Sequence, residues 1–300
     1  MDIYTSKQIM QAFRPERAAA LLREGLIAYA AGRMQLPPMQ RIHFDAVAAD
    51  CVVKSGYLEG DKVFVVKVWS GFEHNAEQGL DSRHGMLLVC SARTGEPQAL
   101  LLDKGWLTAQ RTALTGRLVA EAMAPPTVDA IGLLGCGQQA QLQLEALASV
   151  QTCRQIWVWG RNLQRLQAFC EPFAARGYRM RPTLDARQLA EACQLIVCCT
   201  PARQPLLQAE WIAAGTHITA VGADRSGRQE LAAGLVARAD ALVADCAAQV
   251  LEYGEFSHAL NAGLIRHEQV AELGDVLAGR QPGRRAASDI TIASLSGFAA

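Results

Sequence analysis

The sequence lacks several features that would place it in other broad classes of protein. Its 29 basic and 29 acidic side chains balance, and a net charge of zero does not favour a nucleic acid or an anionic membrane as partner. No apolar run approaches the length of a membrane span. The amino terminus, Met1 to Tyr4, lacks the basic and then apolar layout of a secretory signal. We therefore expect no nucleic acid partner, no membrane insertion and a cytoplasmic location.

Metal-binding motifs are also missing. The nine cysteines form no CxxC pair and no cluster with histidine at zinc spacing. The six histidines do not occur at metal-ligand spacing either. Most cysteines lie in apolar stretches, so we interpret them as reduced thiols and expect no metal site.

The sequence does contain an apolar run from Ile131 that ends in glycines and is followed by leucines at helical spacing. The pattern Gly135-x-Gly137-x-x-Ala140 between a strand and a helix is typical of dinucleotide-binding domains. The first glycine permits the turn, the second lets the backbone approach a pyrophosphate, and the small third residue lets the helix pack closely. The alternative is a purely structural glycine turn in an α/β domain.

The rest of the chain divides into two patterns. Residues 6–31 are expected to form one helix and residues 107–124 another, which Pro125 and Pro126 end. Short β-like runs between them imply an antiparallel or mixed sheet: 41–47, 51–58, 62–69, 85–91 and 99–103. Beyond Val128, helical segments alternate with expected strands at 130–134, 156–159, 178–181, 195–199, 217–221, 241–244 and 289–292, and a helix is expected to begin at 294–300. We predict an α/β protein, with a Rossmann-type doubly wound parallel sheet and a separate mixed α+β domain.

The strand after the glycine turn indicates which nicotinamide cofactor to expect. NAD-preferring domains usually place an Asp or Glu at the end of the second strand. Here Ile156–Trp159 runs into Gly160-Arg161-Asn162, which contains no carboxylate. A guanidinium can bind a 2′-phosphate bidentately, whereas the alternative is a solvated loop arginine. We expect NADP(H) to be favoured over NAD(H), with Arg161 and Asn162 at the cofactor.

Three ionisable residues are candidates for the chemistry. Lys67 lies in an otherwise apolar strand, where burial would lower its pKa, unless the strand is an edge strand that lets it reach water. Arg111, in a helix start rich in small residues, could bind a carboxylate or could be a solvated helical arginine. Asp224 follows a parallel strand at the sheet edge where such sheets bind ligands, although it could also be a turn-forming residue. Thr200 reaches the same edge.

Together these segments resemble the ornithine cyclodeaminase/mu-crystallin family. The matching segments, in the family's order, are Val66–Val68, Leu107–Ala113, Gly132–Ala140, Ala220–Leu231, Gly254-Glu255 and Asp289–Ile292. The resemblance implies a two-domain homodimer. Residues 1–124, joined by 285–300, would bind substrate and form the dimer interface, and residues 125–284 would form the NAD(P)-binding Rossmann domain.

The resemblance also implies residue roles. Members of the family act on α-amino or α-imino acids. Arg111 would pair with the substrate carboxylate, Lys67 would contact the carboxylate and the reacting centre, and Asp224 would act as acid or base. The cofactor would be lined by Thr112, Gly135, Gly137, Gln138, Gln139, Ala140, Arg161, Asn162, Thr200 and Val221.

The sequence departs from the family's pattern in three places. The second carboxylate-binding arginine, Arg41, is spaced one residue further from Pro38 than usual, so it could face the wrong side of its strand or follow a bulge. The segment Cys51–Gly56 lacks the acidic residue that ornithine-specific enzymes place there for the distal amine. The family normally continues past the last helix start, whereas this sequence ends at Ala300, so either a helix is missing or the dimer closes differently.

We expect an NADP(H)-dependent oxidoreductase that moves hydride between the nicotinamide and the α-carbon of an amino or imino acid, as a cyclic ketimine reductase or an amino acid dehydrogenase. This expectation requires Lys67, Arg111 and Asp224 to converge at the nicotinamide. One alternative is a cyclodeaminase, an ammonia-lyase with recycled NAD. The other is a non-catalytic NADPH-dependent binding protein.

Overall fold

A computed structural model describes residues 1–297 of the chain. Two compact units can be distinguished, one spanning Met1–Arg111 and the other beginning at Thr112 and containing the rest of the described chain. The division falls inside a helix and not at residues 124 and 125, where the domain boundary was expected. A helix that runs through a boundary gives no loop composition by which sequence could locate it.

The first unit is built on a seven-stranded mixed sheet. Its strands are β1 (Asp2–Thr5), β2 (Met34–Gln35), β3 (Gln40–Phe44), β4 (Ala49–Leu58), β5 (Val63–Phe72), β6 (Arg83–Ser91) and β7 (Pro97–Leu102). The order is β1-β7-β6-β5-β4-β2, and β3 also pairs with β4. Strand β1 is parallel to β7 and all other pairs are antiparallel, which confirms the expected mixed sheet. The short strands β1 and β2 were not expected.

The helices of this part of the chain are α1 (Ser6–Ala12), α2 (Pro15–Ala30) and α3 (Trp106–Met123). The expected single helix over residues 6–31 is therefore wrong. Arg14 has an extended backbone, with φ −128° and ψ 105°, because the ring of a following proline disfavours the helical conformation. Pro15 then starts a new helix at a position where its missing N–H costs nothing.

The second unit contains an eight-stranded parallel sheet. Its strands are β8 (Ile131–Leu134), β9 (Gln155–Trp159), β10 (Arg179–Thr183), β11 (Leu195–Cys198), β12 (His217–Ala220), β13 (Ala241–Ala244), β14 (Val270–Glu272) and β15 (Thr291–Ser294). Its helices are α4 (Gln138–Leu147), α5 (Leu163–Ala175), α6 (Ala186–Ala192), α7 (Ala233–Arg238), α8 (Ala247–Glu252), α9 (Ser257–Asn261) and α10 (Leu273–Leu277). The strand order β10-β9-β8-β11-β12-β15-β13-β14 reverses direction at β8, which confirms the Rossmann-type doubly wound sheet. Sheets of this kind bind ligands at the carboxyl ends of the strands beside the reversal, here β8 and β11.

The last strand lies elsewhere than expected. Strand β15 pairs with β12 and with β13, so residues 285–297 belong to the second unit and do not join the first. All four residues of β15 are buried, and burial alone does not reveal which neighbours a short strand will pair with. The helix expected over 294–300 does not begin at 294, which ends β15, and residues 298–300 lie outside the described residues.

Within residues 1–297, no helix is long and apolar enough to cross a membrane. In this same range, no group of three or more His, Cys, Asp or Glu side chains is arranged to hold a metal ion. The nine cysteines are all free thiols.

Candidate active site

One face of the first sheet, which we call the cationic face, carries a row of charged side chains. Directly opposite residues on antiparallel strands share a face, and Lys54 of β4 lies opposite Lys67 of β5. His43 of β3 lies opposite Asp50 of β4, and Arg41 is two residues from His43 on the same strand. The register between β3 and β4 is regular, so Arg41 shares the face of Lys67 despite its unusual spacing from the preceding proline.

Asp50 orients the outer part of this face. Its side chain is largely buried, and Nη1 of Arg41 lies 3.7 Å from its Oδ2. Nδ1 of His43 contacts the other oxygen of the same carboxylate. Asp50 thus holds the guanidinium of Arg41 on the sheet, where a planar cation can bind a carboxylate bidentately. Asp50 was not a candidate in the sequence, because its pairing with His43 depends on the register.

Lys67 is buried in the middle of the cationic face, with 7% of its surface exposed. Strand β5 lies between β4 and β6, so the alternative of an edge-strand lysine does not apply. Burial, and then the positive charges of Arg111 and Lys54, lower the pKa of Lys67 to about 6, while the charge of Asp103 acts in the opposite direction. Lys67 is therefore mostly neutral at pH 7 and can accept a proton.

Arg111 is positioned by the start of helix α3. Asp103 follows β7, is fully buried, and its Oδ2 accepts a hydrogen bond of 2.9 Å from the backbone N–H of Leu107. Arg111 lies one turn further along, on the same side of the helix as Leu107. The structure therefore brings Lys67, Arg111 and Arg41 together in one unit. It adds Lys54 and Asp103, which no sequence motif marked.

The glycine turn lies where the second sheet reverses its order. Gly135 has a left-handed backbone, with φ +114°, and its N–H donates to the carbonyl of Trp159 at 2.9 Å. A Cβ atom at Gly135 would lie 3.2 Å from the carbonyl oxygen of Cys199 and 3.3 Å from Thr200. The turn thus joins the ends of β8, β9 and β11, and its left-handed backbone would be strained with any residue other than glycine.

The entry to helix α4 suits an anionic ligand. Gly137 is the N-cap and provides no side-chain cap, so the first backbone N–H groups of the helix are left for another acceptor. A Cβ atom at Gly137 would meet nothing within 4 Å, which leaves space for a close approach by a pyrophosphate. Ala140 is fully buried against the sheet. Nε2 of Gln139 is buried without a hydrogen-bond partner among the described residues. These features fit a dinucleotide.

Other expected cofactor residues have structural roles as well. The carbonyl of Thr112 accepts a hydrogen bond of 3.2 Å from Gln143, which links α3 to α4. Val221 is buried directly after β12. Gln138, the first residue of α4, is exposed.

The end of β9 carries an exposed arginine. Arg161 is exposed, and its neighbours Gly160 and Asn162 add no carboxylate. Oδ1 of Asn162 accepts a hydrogen bond of 3.0 Å from the N–H of Arg165 and caps helix α5. The side-chain oxygen of Asn162 is therefore committed to the helix, and Arg161 is the side chain available for a phosphate.

Thr200 is bonded inward to a glutamate that the sequence motifs did not single out. Its N–H and its hydroxyl both donate to Oε1 of Glu230, each at 2.7 Å. Glu230 is fully buried, and burial raises its pKa to about 7. The neighbouring Glu255 is also buried, and burial together with the charge of Glu230 raises its pKa to about 8. The hydroxyl of Thr200 thus fixes the end of β11.

Asp224 lies in the loop after β12. Its side chain is 46% exposed and forms ion pairs with Arg228 at 2.8 Å and with Arg225 at 3.5 Å. Nη1 of Arg228 also donates to the carbonyl of Gly222 at 3.2 Å. The carboxylate is therefore oriented by two guanidinium groups at the carboxyl edge of the parallel sheet, where a ligand of this fold is bound.

Three curated relatives cover most of the chain. An uncharacterized cyclodeaminase of Sinorhizobium fredii is 39% identical over 266 residues, covering 88% of this chain and 80% of the relative. An alanine dehydrogenase of Archaeoglobus fulgidus is 30% identical, covering 99% and 90% respectively. An iminosuccinate reductase of Paracoccus denitrificans is 30% identical, covering 95% and 88%.

Solved structures agree with these relatives. A Thermococcus litoralis Δ1-pyrroline-2-carboxylate reductase in complex with NADH and L-proline has a TM-score of 0.91 and 25% identity, covering 99% of this chain and 93% of that chain. An archaeal alanine dehydrogenase dimer with bound NAD has a TM-score of 0.92 and 29% identity, covering 99% and 92%. The model of the ornithine cyclodeaminase/mu-crystallin family matches residues 1–300, and the chain belongs to this family.

Proposed function

We propose that this protein is an NADP(H)-dependent oxidoreductase that moves hydride between the nicotinamide and the α-carbon of a small amino or imino acid. The observation that carries the proposal is the buried Lys67, which lies on the cationic face and is influenced by the charge of Arg111. The same chain also has a glycine turn that fits a dinucleotide. The named substrates of the relatives, alanine, iminosuccinate and pyrroline-2-carboxylate, all carry a carboxylate next to the carbon that bears nitrogen.

The arginines would hold the substrate. Arg111 and Arg41 offer planar guanidinium groups that can bind one carboxylate through paired hydrogen bonds. Fixing the carboxylate orients the adjacent α-carbon, and such positioning can lower an activation barrier by several kcal/mol. NADP(H), when bound, supplies or accepts the hydride.

Lys67 and Asp224 would manage the proton that accompanies hydride transfer. Lys67 is mostly neutral at pH 7, because burial and nearby positive charges lower its pKa to about 6. A bound carboxylate would offset the charges of Arg111 and Lys54 and so favour protonation of Lys67. The lysine could then return this proton to the substrate nitrogen during reduction. Asp224, which is half exposed, could exchange protons between that nitrogen and solvent.

We further propose that NADP(H) is preferred, because Arg161 is exposed at the end of β9 and no carboxylate accompanies it. Arg161→Ala should weaken NADPH binding at least tenfold and change NADH binding less than twofold. The matched control is Arg176→Ala, at the other end of α5, where the arginine pairs with Glu145. Tighter binding of NADH than NADPH by the wild type would refute the preference.

The opposite face of the first sheet supports a homodimer. We call it the apolar face, and its large hydrophobic residues are exposed: Ile3 57%, Ile42 54%, Phe44 38%, Met86 40% and Leu102 38%. A patch of this kind marks an interaction surface. We propose that two copies pair through it, so Phe44→Glu should shift the mass in sedimentation equilibrium to that of a monomer. The free thiols support our proposal of a reducing, cytoplasmic location.

The catalytic proposal is tested with a panel of substrates. NADPH and NADH are each combined with Δ1-pyrroline-2-carboxylate, with pyruvate plus ammonia and with oxaloacetate plus ammonia. Lys67→Met and Asp224→Asn should each lower turnover strongly and leave NADPH binding nearly intact, whereas Lys62→Met serves as a control at an exposed lysine. Full activity of both variants would remove the mechanism.

Adding ornithine with NAD⁺ to the panel separates the other activities considered for this family. A cyclodeaminase would release ammonia from ornithine without net change in nicotinamide absorbance. The positive charge of Lys54 opposite Lys67 argues against it, since a distal ammonium group would be repelled there. A binding protein would retain NADPH and turn over no member of the panel.

A further inference from the structure

Two fully buried glutamates of the second unit have no role in the reaction described so far. Glu230 and Glu255 are each 0% exposed. Burying a carboxylate is costly unless hydrogen bonds satisfy it. Apolar residues at these positions would often be at least as stabilising, so stability alone does not explain the two glutamates. The atoms that they bind indicate their role.

The carboxylate of Glu230 joins the ends of two neighbouring strands. Its Oε1 accepts hydrogen bonds from the N–H and the hydroxyl of Thr200, two residues after the end of β11. Its Oε2 accepts a hydrogen bond of 2.9 Å from the N–H of Gly222, two residues after the end of β12. A Cβ atom at Gly222 would lie 2.0 Å from the carbonyl oxygen of Thr200, so only glycine fits this approach.

Glu255 holds the segment that contains Glu230. It accepts hydrogen bonds from the N–H of Glu230, at 2.9 and 3.1 Å, and from the N–H of Leu231, at 2.6 Å. Nε2 of His258, in α9, lies 3.1 Å from the carbonyl oxygen of Arg228. The backbone of the segment 228–231 is thus held by two side chains of the segment 254–258.

These contacts reach Asp224 through one glycine. The N–H of Gly222 is held by Glu230, and its carbonyl accepts a hydrogen bond from Arg228. The same Nη1 atom of Arg228 donates to Oδ1 of Asp224 at 2.8 Å. A displacement of Gly222 would therefore move the guanidinium that orients the carboxylate.

We propose that Glu230 and Glu255 are positioning residues that hold the loop 221–229, and with it Asp224, in the arrangement that hydride transfer requires. The inference rests on the proposed function, in which Asp224 exchanges a proton with the substrate. Residues 222–229 form no helix or strand, so buried contacts at the base of this loop restrict its motion. A misplacement of about 1 Å at a reacting group can reduce a rate about a hundredfold.

The first test measures hydrogen exchange and needs no substrate. In Glu230→Gln, one carboxylate oxygen becomes an NH₂ group, which accepts no hydrogen bond, so the side chain can accept from only one of the two strand ends. Exchange should become at least tenfold faster in peptides that cover 199–203 and 221–229. The control is Glu272→Gln, another glutamate with a pKa raised by burial, whose Oε1 accepts from the N–H of Ala247. Unchanged exchange in both peptides of Glu230→Gln would overturn the proposed contact.

The second test measures NADPH-dependent reduction of Δ1-pyrroline-2-carboxylate. Glu230→Gln should lower kcat at least tenfold, with the Kd for NADPH within twofold of the wild type and the activity of Glu272→Gln unchanged. A merely structural role would lower the amount of folded protein and leave kcat per active molecule unchanged. Wild-type kcat in Glu230→Gln would overturn the positioning role.

Two further outcomes are distinguishable. If Glu230→Gln does not fold, Glu255→Gln weakens the contact with the N–H groups of Glu230 and Leu231, and a kcat at least threefold lower supports the inference while an unchanged kcat overturns it. A wild type that reduces no member of the substrate panel would overturn the proposed function and the role assigned to the loop. The hydrogen-exchange result would still show whether the buried contact holds the loop.

Discussion

The charge of Lys54 should lower the pKa of Lys67, and removing this charge should raise it. Lys54 lies directly opposite Lys67 on the neighbouring strand and shares the cationic face. It is one of the groups that lower the pKa of Lys67 to about 6, after burial and Arg111. Lys54→Met keeps the length of the side chain and removes only the positive charge.

The size of the effect follows from Coulomb's law. Charges on directly opposite side chains are about 5 to 8 Å apart, and at an effective dielectric constant of about 20 to 40 they interact with about 1 to 3 kcal/mol. One pH unit corresponds to about 1.4 kcal/mol, so Lys54→Met should raise the pKa of Lys67 by about one unit. Because Lys54 is partly exposed, solvent screening favours the lower end of this range.

The pKa can be measured without knowing the substrate. The chain has only five lysines, so the ¹³Cε signals of labelled lysine can be followed individually by NMR as the pH is varied. The signal that disappears in Lys67→Met belongs to Lys67. The control is Lys62→Met, which also removes one positive charge. Lys62 is about 16 Å from Lys67 along the extended chain, beyond the screening length of about 10 Å at 0.1 M salt.

The expected result is a midpoint near pH 6 in the wild type and in Lys62→Met, and near pH 7 in Lys54→Met. A midpoint that stays the same or falls in Lys54→Met would refute the electrostatic reasoning. So would an equal rise in both variants, because the effect would then reflect net charge and not the pairing of the two strands.

Three further predictions concern packing, pH and cofactor binding. Gly222→Ala should lower the free energy of unfolding, measured with urea, by about 2 to 4 kcal/mol, because its Cβ would lie 2.0 Å from the Thr200 carbonyl oxygen. In the control Gly234→Ala the Cβ would meet no atom within 4 Å, so this variant should be neutral or slightly stabilising. Burial, and then the charge of Arg284, lower the pKa of His217 to about 3. The contribution of His217 to stability is therefore full above pH 6.5, and the free energy of unfolding should fall by about 1.4 kcal/mol per pH unit between pH 6.5 and 3. Urea unfolding at each pH should show that His217→Gln flattens this decline. Gly137→Ala should weaken NADPH binding at least tenfold in a fluorescence titration, because its Cβ would occupy the space at the start of α4 into which the pyrophosphate fits. The melting temperature should not change, because the Cβ would contact no protein atom. Unchanged NADPH binding would contradict the assignment of this turn to the pyrophosphate.

The parts of the molecule that follow from local chemistry could be predicted from the sequence. The turn at Gly135 needs a left-handed backbone, and the alternation of strands and helices around it follows from short-range patterns. The apolar strand around Lys67 indicated burial as one of two alternatives, and the position of β5 between β4 and β6 decides for it. The switch from a mixed sheet to a parallel sheet was visible in the lengths of the connections between strands.

The parts that depend on which segments meet could not be predicted. The pairing of Lys54 with Lys67 is set by the register between two strands, and a shift of one residue would move either side chain to the other face. The position of β15 between β12 and β13 is a long-range choice that its own residues do not encode. Glu230 was visible only as part of a family motif, because its hydrogen-bond partner Thr200 is 30 residues away.

Lys67 lets the balance between stability and function be measured directly. The lowered pKa of Lys67 does not affect the free energy of unfolding above the unfolded pKa of about 10.5. Below that pH the free energy of unfolding falls progressively, until the pH reaches about 6. At pH 7 the wild type should therefore be less stable by about 3 to 5 kcal/mol than it would be with an unperturbed lysine. Lys67→Met removes this term, so it should be more stable than the wild type near pH 6 to 7, and the difference should shrink as the pH rises toward 10. The same variant should lose turnover. Urea unfolding of both proteins at pH 6, 8 and 10 measures the difference in their free energies of unfolding. If the variant, compared with the wild type, is less stable at pH 6 than it is at pH 10, the buried lysine is charged and paired. Lys67 would then be a structural residue, and the proton would have to be handled elsewhere.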